Sequence, residues 1–213
     1  MDAHFLMVYL REIESQSLMA TNAIGNLDHI SATMANPKNE IGFEQRNTLN
    51  KEYFRSVHSF LTHLSNMSRL LWPPALSPKQ NCFCGKPKAN GMECSTCVAR
   101  ERSSQILNAL GLQGADHIIK NRTLRDHLEH FDERIDHWMK TSKNRNFVQD
   151  IIGPKGGIMG LDESDMMRQY DPATGTFRFR GETFSLVELF AGLNDLLART
   201  RQALAKYEVL RRF

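Results

Sequence analysis

No stretch of the chain approaches the ~18 consecutive apolar residues that a membrane-spanning helix requires. Charge of one sign is missing as well: 27 Lys and Arg face 24 Asp and Glu over 213 residues, a formal net charge of +3. Whole-molecule electrostatics therefore argues for neither nucleic acid nor a membrane surface, and any basic footprint is local. The opening Met1-Asp2-Ala3-His4, with Arg11, Glu12 and Glu14 close behind, has neither the basic start nor the apolar stretch of a secretory leader. The expected compartment is the cytoplasm. Internal repeats and low-complexity tracts are absent, and 41% apolar with 24% charged residues excludes a disordered or fibrous chain. The length suits one domain with a sizeable core and a small insert.

What is there is helical periodicity. Residues 4–34 carry Phe5, Val8, Tyr9, Ile13, Leu18, Ile24, Leu27 and Ile30 with few breakers, which predicts a long amphipathic helix. Asn36-Pro37-Lys38-Asn39 predicts a chain reversal, and a second helix follows from about Phe43 to Leu71, ended by Trp72-Pro73-Pro74. Residues 98–112 predict a third helix, Ala115 or Asp116 to about Lys140 a fourth, and the segment after Ser185 to about Arg211 a last one. Ser185-Leu186-Val187-Glu188 fits the capping box that starts it. Met166–Tyr170 and Thr176–Phe179 flank the turn-forming Asp171-Pro172-Ala173-Thr174-Gly175, which predicts a β-hairpin. The expected fold class is all-α: an up-down bundle of four to five long helices over 1–213, with a Cys-rich, zinc-ribbon-like insert at 77–97 and the hairpin at 166–180 as an accessory.

The fourth helix carries the sharpest pattern. Leu124, Leu128, Phe131, Ile135 and Trp138 form an apolar stripe, while Arg122, Asp126, His130, Glu133 and His137 recur on the far side. A solvated face explains such a stripe. Chemistry explains it too, because Asp126 and His130 are four apart, where a carboxylate can orient an imidazole that titrates near neutrality, and Arg122 or Arg125 can bind a phosphate beside it. The run Arg125-Asp126-His127-Leu128-Glu129-His130 resembles the R-x4-6-H motif of the HEPN superfamily, in which a polar residue often follows the Arg. The resemblance covers these six residues specifically and the helical frame loosely.

That resemblance implies a metal-independent endoribonuclease used in bacterial defence, abortive infection or a toxin–antitoxin system, with Arg125, Asp126 and His130 at the active site. His130 would act as general base or acid while a ribose 2′-hydroxyl attacks its own phosphodiester, and Arg125 would stabilise the added charge. Five residues of ideal helix turn through about 500°, leaving Arg125 and His130 roughly 140° apart. The resemblance therefore also implies a homodimer through the motif helix, with RNA as substrate and an antitoxin as a possible partner. The alternative is a non-catalytic HEPN-like RNA-binding or protein-interaction module, since the cysteine insert and the hairpin lie outside a minimal bundle.

All four cysteines fall between positions 82 and 97. Cys82-x-Cys84 and Cys94-x2-Cys97 offer the four thiolates of a tetrahedral structural Zn²⁺ site with no open position for catalysis. The first pair is one residue tighter than usual, and four incidental thiols are the competing reading. Lys79, Lys86 and Lys88 give this insert a basic character that either contacts phosphate or simply solvates it. His58 and His63 are assigned no role. Gly153-Pro154-Lys155-Gly156-Gly157 lacks the phosphate-loop pattern and reads as a linker.

Overall fold

The computed structural model describes residues 3–73 and 95–210. Over them run α1 (Ala3–Ala35), α2 (Phe43–Leu71), α3 (Ser95–Ala109), α4 (Thr123–Glu129), α5 (Phe131–Thr141), β1 (Val148–Ile152), β2 (Met166–Asp171), β3 (Thr176–Phe179), β4 (Glu182–Ser185) and α6 (Leu186–Leu210). Short 3-10 turns occur at Ile118–Lys120 and Glu163–Asp165. Among the described residues no helix is long and apolar enough to cross a membrane.

The chain is mostly helical, but the all-α expectation is overturned by a four-stranded mixed sheet in the order β1-β2-β3-β4. The hairpin predicted at 166–180 exists, with Tyr170 opposite Phe177 and Asp171 opposite Thr176. It is the centre of that sheet rather than an accessory. β1 adds to β2 in parallel, Val148 against Met166 and Ile152 against Tyr170, and β4 adds antiparallel to β3. The physical reason is non-local: Val148-Gln149-Asp150-Ile151-Ile152 becomes a strand by bonding to a partner 18 residues downstream, which no local pattern announces.

Two compact units are distinguished. The first comprises Met1–Leu18, His63–Asn121 and Gly192–Phe213. Its α1 portion buries Leu6, Leu10, Ile13 and Ser17, a spacing of four, three and four that keeps one face inward. Of the apolar residues that predict this helix, Ile13 is buried but Phe5, Val8 and Leu18 are 57%, 51% and 43% exposed, because the inward face follows Leu6, Leu10 and Ile13. Ser17 Oγ donates to Ile13 O, which satisfies its buried hydroxyl, and lies 3.2 Å from Met67 Sδ. Arg102 stands over the Tyr9 ring, and Ser103 Oγ caps the α2 end by donating to Leu71 O. The His117 ring stacks on Trp72, with Nδ1 accepting from Ile119 N and Nε2 3.5 Å from Asp195.

The second unit comprises Met19–Thr62 and Arg122–Ala191. Asn26 Nδ2 donates to Ser56 Oγ and Ser31 Oγ to Tyr53 OH, joining α1 to α2. One face of the sheet packs Tyr170 on Tyr53, Phe177 on Phe54, and Phe179 on His127 and Phe131. Phe177 and Phe179 are both fully buried, and each such ring contributes about 1.5–3 kcal/mol by leaving water. Ser185 Oγ accepts from Glu188 N at the start of α6, as the capping box predicts.

Candidate functional site

The motif segment lies on α4 and α5, in the second unit. A single helix was expected from about 115 to 140; the chain instead makes a 3-10 turn at Ile118–Lys120, then α4, then α5, with the break at His130 (φ −97°, ψ 42°). His130 ends one helix and begins the next. Its backbone N–H still reaches Asp126 O, at 3.1 Å, but its non-helical backbone redirects the side chain.

The three motif residues do not share one arrangement. Arg125 is 8% exposed, and its guanidinium is paired with the Glu129 carboxylate one turn on, with Asp126 Oδ1 3.9 Å from Nη1. The His130 ring is more than half exposed, and its carboxylate neighbour is Glu133, at 3.5 Å from Nδ1. The expected Asp126–His130 pairing is thus replaced by Asp126 beside Arg125 and Glu133 beside His130. Asp126, Glu129, Asp132, Glu133 and Asp136 place five carboxylates within eleven residues, Glu129 paired with Arg125, with Arg134 among them and Arg122 and Lys140 at the ends of the two helices. The acids slightly outnumber the bases over the two helices, so this segment is not a basic footprint for a phosphate backbone.

The other histidines of this segment have structural work. His127 stacks on Phe179 with ring centroids 5.2 Å apart and planes at 10°, and its Nε2 is 3.1 Å from Glu182 Oε2. His137 Nδ1 accepts from Arg180 Nη1 at 3.0 Å, which places the ring proton on Nε2 when the imidazole is neutral.

Two polar networks have no counterpart in the sequence reading. Buried Asp165 accepts from Trp138 Nε1 at 2.8 Å and from Ser142 Oγ at 2.6 Å, tying α5 to the turn before β2. Arg168 is paired with Asp150, its register partner on β1, at 2.7 Å, lies 3.3 Å from His58 Nε2, and stands over the Phe131 ring. Burial, reinforced by Arg168, holds the His58 imidazole below the usual histidine range. The partners are distant in sequence, so spacing within one element carried no trace of them.

Of the candidate metal ligands, Cys97 lies in the first turn of α3 and stands in a disulfide; Cys82, Cys84 and Cys94 lie outside the described residues. Among the described residues no group of three or more His, Cys, Asp or Glu side chains is placed to hold a metal ion. Compared with known proteins, the chain matches no family model, no curated protein and no solved structure.

Proposed function

We propose that the chain is a non-catalytic, HEPN-like interaction module of the cytoplasm, and that the acidic α4–α5 junction is its binding surface for a basic protein partner. The observation that carries this is Arg125: a guanidinium 8% exposed and paired with Glu129 is committed to holding its own helix, not to receiving a scissile phosphate. The exposed carboxylates of α4 and α5, Asp126, Glu129, Asp132, Glu133 and Asp136, favour cationic side chains over RNA. A zinc ion on the reduced cysteines would brace the insert without entering any reaction.

A second reading, the metal-independent endoribonuclease, draws support from His130, whose imidazole is exposed at the α4–α5 break. In that reaction the 2′-oxygen forms a bond to phosphorus as His130 takes its proton, and the bond to the departing 5′-oxygen breaks as that oxygen takes up a proton from water, leaving a cyclic phosphate and a 5′-hydroxyl. It requires Arg125 to leave Glu129, in this chain or across a homodimer. In a toxin–antitoxin setting, a partner protein would control that exchange.

Total RNA incubated in EDTA with wild type and with His130→Ala separates the two, with growth of expressing cells as a second readout. The module reading expects intact RNA and equal growth in both. EDTA-resistant cutting by wild type, lost in His130→Ala, would replace it with the nuclease.

A further inference from the structure

His58 on α2, Asp150 on β1 and Arg168 on β2 meet, and none of the three lies on α4 or α5. Arg168 is the centre of the group. Its Nε lies 2.7 Å from Asp150 Oδ1 and its Nη2 donates to Asp150 Oδ2 at 3.3 Å, a two-point ion pair between register partners of the parallel β1–β2 ladder. Its planar head stands over the Phe131 ring at 5.0 Å and the Phe54 ring at 5.9 Å. The remaining Nη1 lies 3.3 Å from Nε2 of half-buried His58. A guanidinium has hydrogens to give and no lone pair to receive one, so Nε2 is the acceptor and the neutral ring carries its hydrogen on Nδ1.

That contact suits one protonation state only. An imidazolium carries a hydrogen on both nitrogens, so a proton taken up by His58 sets N–H against N–H and cation against cation. Arg168 on β2 and Asp150 on β1 are the charged groups that act on the ring. Arg55, three residues back on α2, is turned to Glu52 at 2.7 Å, and α5 contributes the uncharged ring of Phe131. Protonation therefore leaves one carboxylate between two cations, and Asp150 drawn toward the imidazolium gives up part of its hold on the guanidinium. The element that yields follows from how each is held. His58 is anchored on α2 by fully buried Val57 and Phe60, and β2 is bonded to a strand on either side. β1 is a five-residue edge strand, bonded to β2 alone and with no fully buried residue, so it opens first.

We propose that His58, Arg168 and Asp150 form a pH-sensitive latch, which clasps β1 to the sheet while His58 is neutral and lets that strand open when His58 takes up a proton. Burial of the ring and the cation beside it both oppose protonation, so the latch stays shut through neutrality and opens below the ordinary histidine value of about 6.5. Opening exposes a strand edge of backbone N–H and C=O groups, the feature through which extended segments pair. His63 and His117, also held low by burial, belong to the first unit, so their protonation lowers stability without selecting β1.

Native-state amide exchange of the full chain, read by mass spectrometry between about pH 7.5 and about pH 5 and corrected for the intrinsic pH dependence of exchange, tests the latch. In wild type the protection of Val148–Ile152 is expected to fall by about threefold or more relative to that of Thr176–Phe179 on acidification. His58→Gln keeps an acceptor for Arg168 but takes up no proton, and its β1 protection relative to β3 is expected to stay level across the range. Asp150→Asn, which removes the contested charge and serves should the His58 variant misfold, is expected to show low β1 protection already at about pH 7.5, with little further loss on acidification. Parallel loss of protection in β1 and β3, no change in β1, or a folded variant with the pH response of wild type would each overturn the latch and leave the three side chains as a static tie.

Discussion

Arg125 and Glu129, one turn apart on α4, hold each other as an ion pair whose cationic half is buried and whose anionic half is partly exposed. A buried cation that loses its partner is costly, while the exposure of Glu129 screens part of the effect. Arg125→Met should therefore lower stability by about 1–2 kcal/mol, and Glu129→Gln by about as much, read as a shift of the urea midpoint at constant slope. A guanidinium reserved for substrate would behave differently: Arg125→Met would leave the midpoint where it was.

Burial holds His58, His63 and His117 below the ordinary histidine range, reinforced at His58 by Arg168 and opposed at His117 by Asp195. With lowered folded values, the unfolded chain takes up protons first as the pH falls. Stability is present in full above the ordinary value of about 6.5 and declines as the pH drops through the lowered ones. The urea midpoint should be level from pH 8 to 7 and fall toward pH 5, and the fall should shrink in a His58→Gln, His117→Gln double variant. A midpoint that rises on acidification would contradict this account.

Arg180 occupies the left-handed region (φ 48°) ahead of Gly181 (φ 88°) in the tight turn between β3 and β4, where Asn or Gly is the usual occupant. Its side chain explains the choice, since it donates to Ser164 O, Arg134 O and lies 3.0 Å from His137 Nδ1. Relief of the turn in Arg180→Gly is worth about 1 kcal/mol, whereas three hydrogen bonds from a charged donor together exceed that. The variant should be less stable than wild type by about 1 kcal/mol or more in denaturant titration. Increased stability would mean that the clamp contributes nothing.

Cys97 stands in a disulfide, and a sulfur so committed is not a thiolate ligand. If the reduced cysteines hold zinc, elemental analysis should find one zinc per chain for protein purified with reductant and none for protein oxidised beforehand. Cys97→Ser should reduce the retained metal even under reduction, because structural sites use all four ligands. Metal-free reduced wild type would remove zinc from consideration.

The long helices were legible because their cause is local. The apolar spacing of α2, the Asn36-Pro37 reversal and the Ser185 cap each act within a few residues, and the structure keeps them close to where the pattern sets them. The phase of α1 was less legible, since Phe5 and Leu6 are equally apolar and packing partners alone select the inward one. In the candidate site, the positions of Arg125, Asp126 and His130 were readable, but their pairing was not. The four-residue rule applies equally to Arg125–Glu129 and Asp126–His130, and the helix break at His130 retains the first and removes the second.

By itself the sequence determined the helical segments, the hairpin turn and which side chains carry charge, because periodicity, turn chemistry and capping are properties of neighbouring residues. Tertiary structure decided that β1 and β4 join the hairpin in one sheet, that Arg125 is spent on Glu129 while His130 faces water, and that His58, Asp150 and Arg168 meet. Those outcomes depend on backbone hydrogen bonds and burial between residues far apart in the chain, and such contacts have no address until the chain has folded.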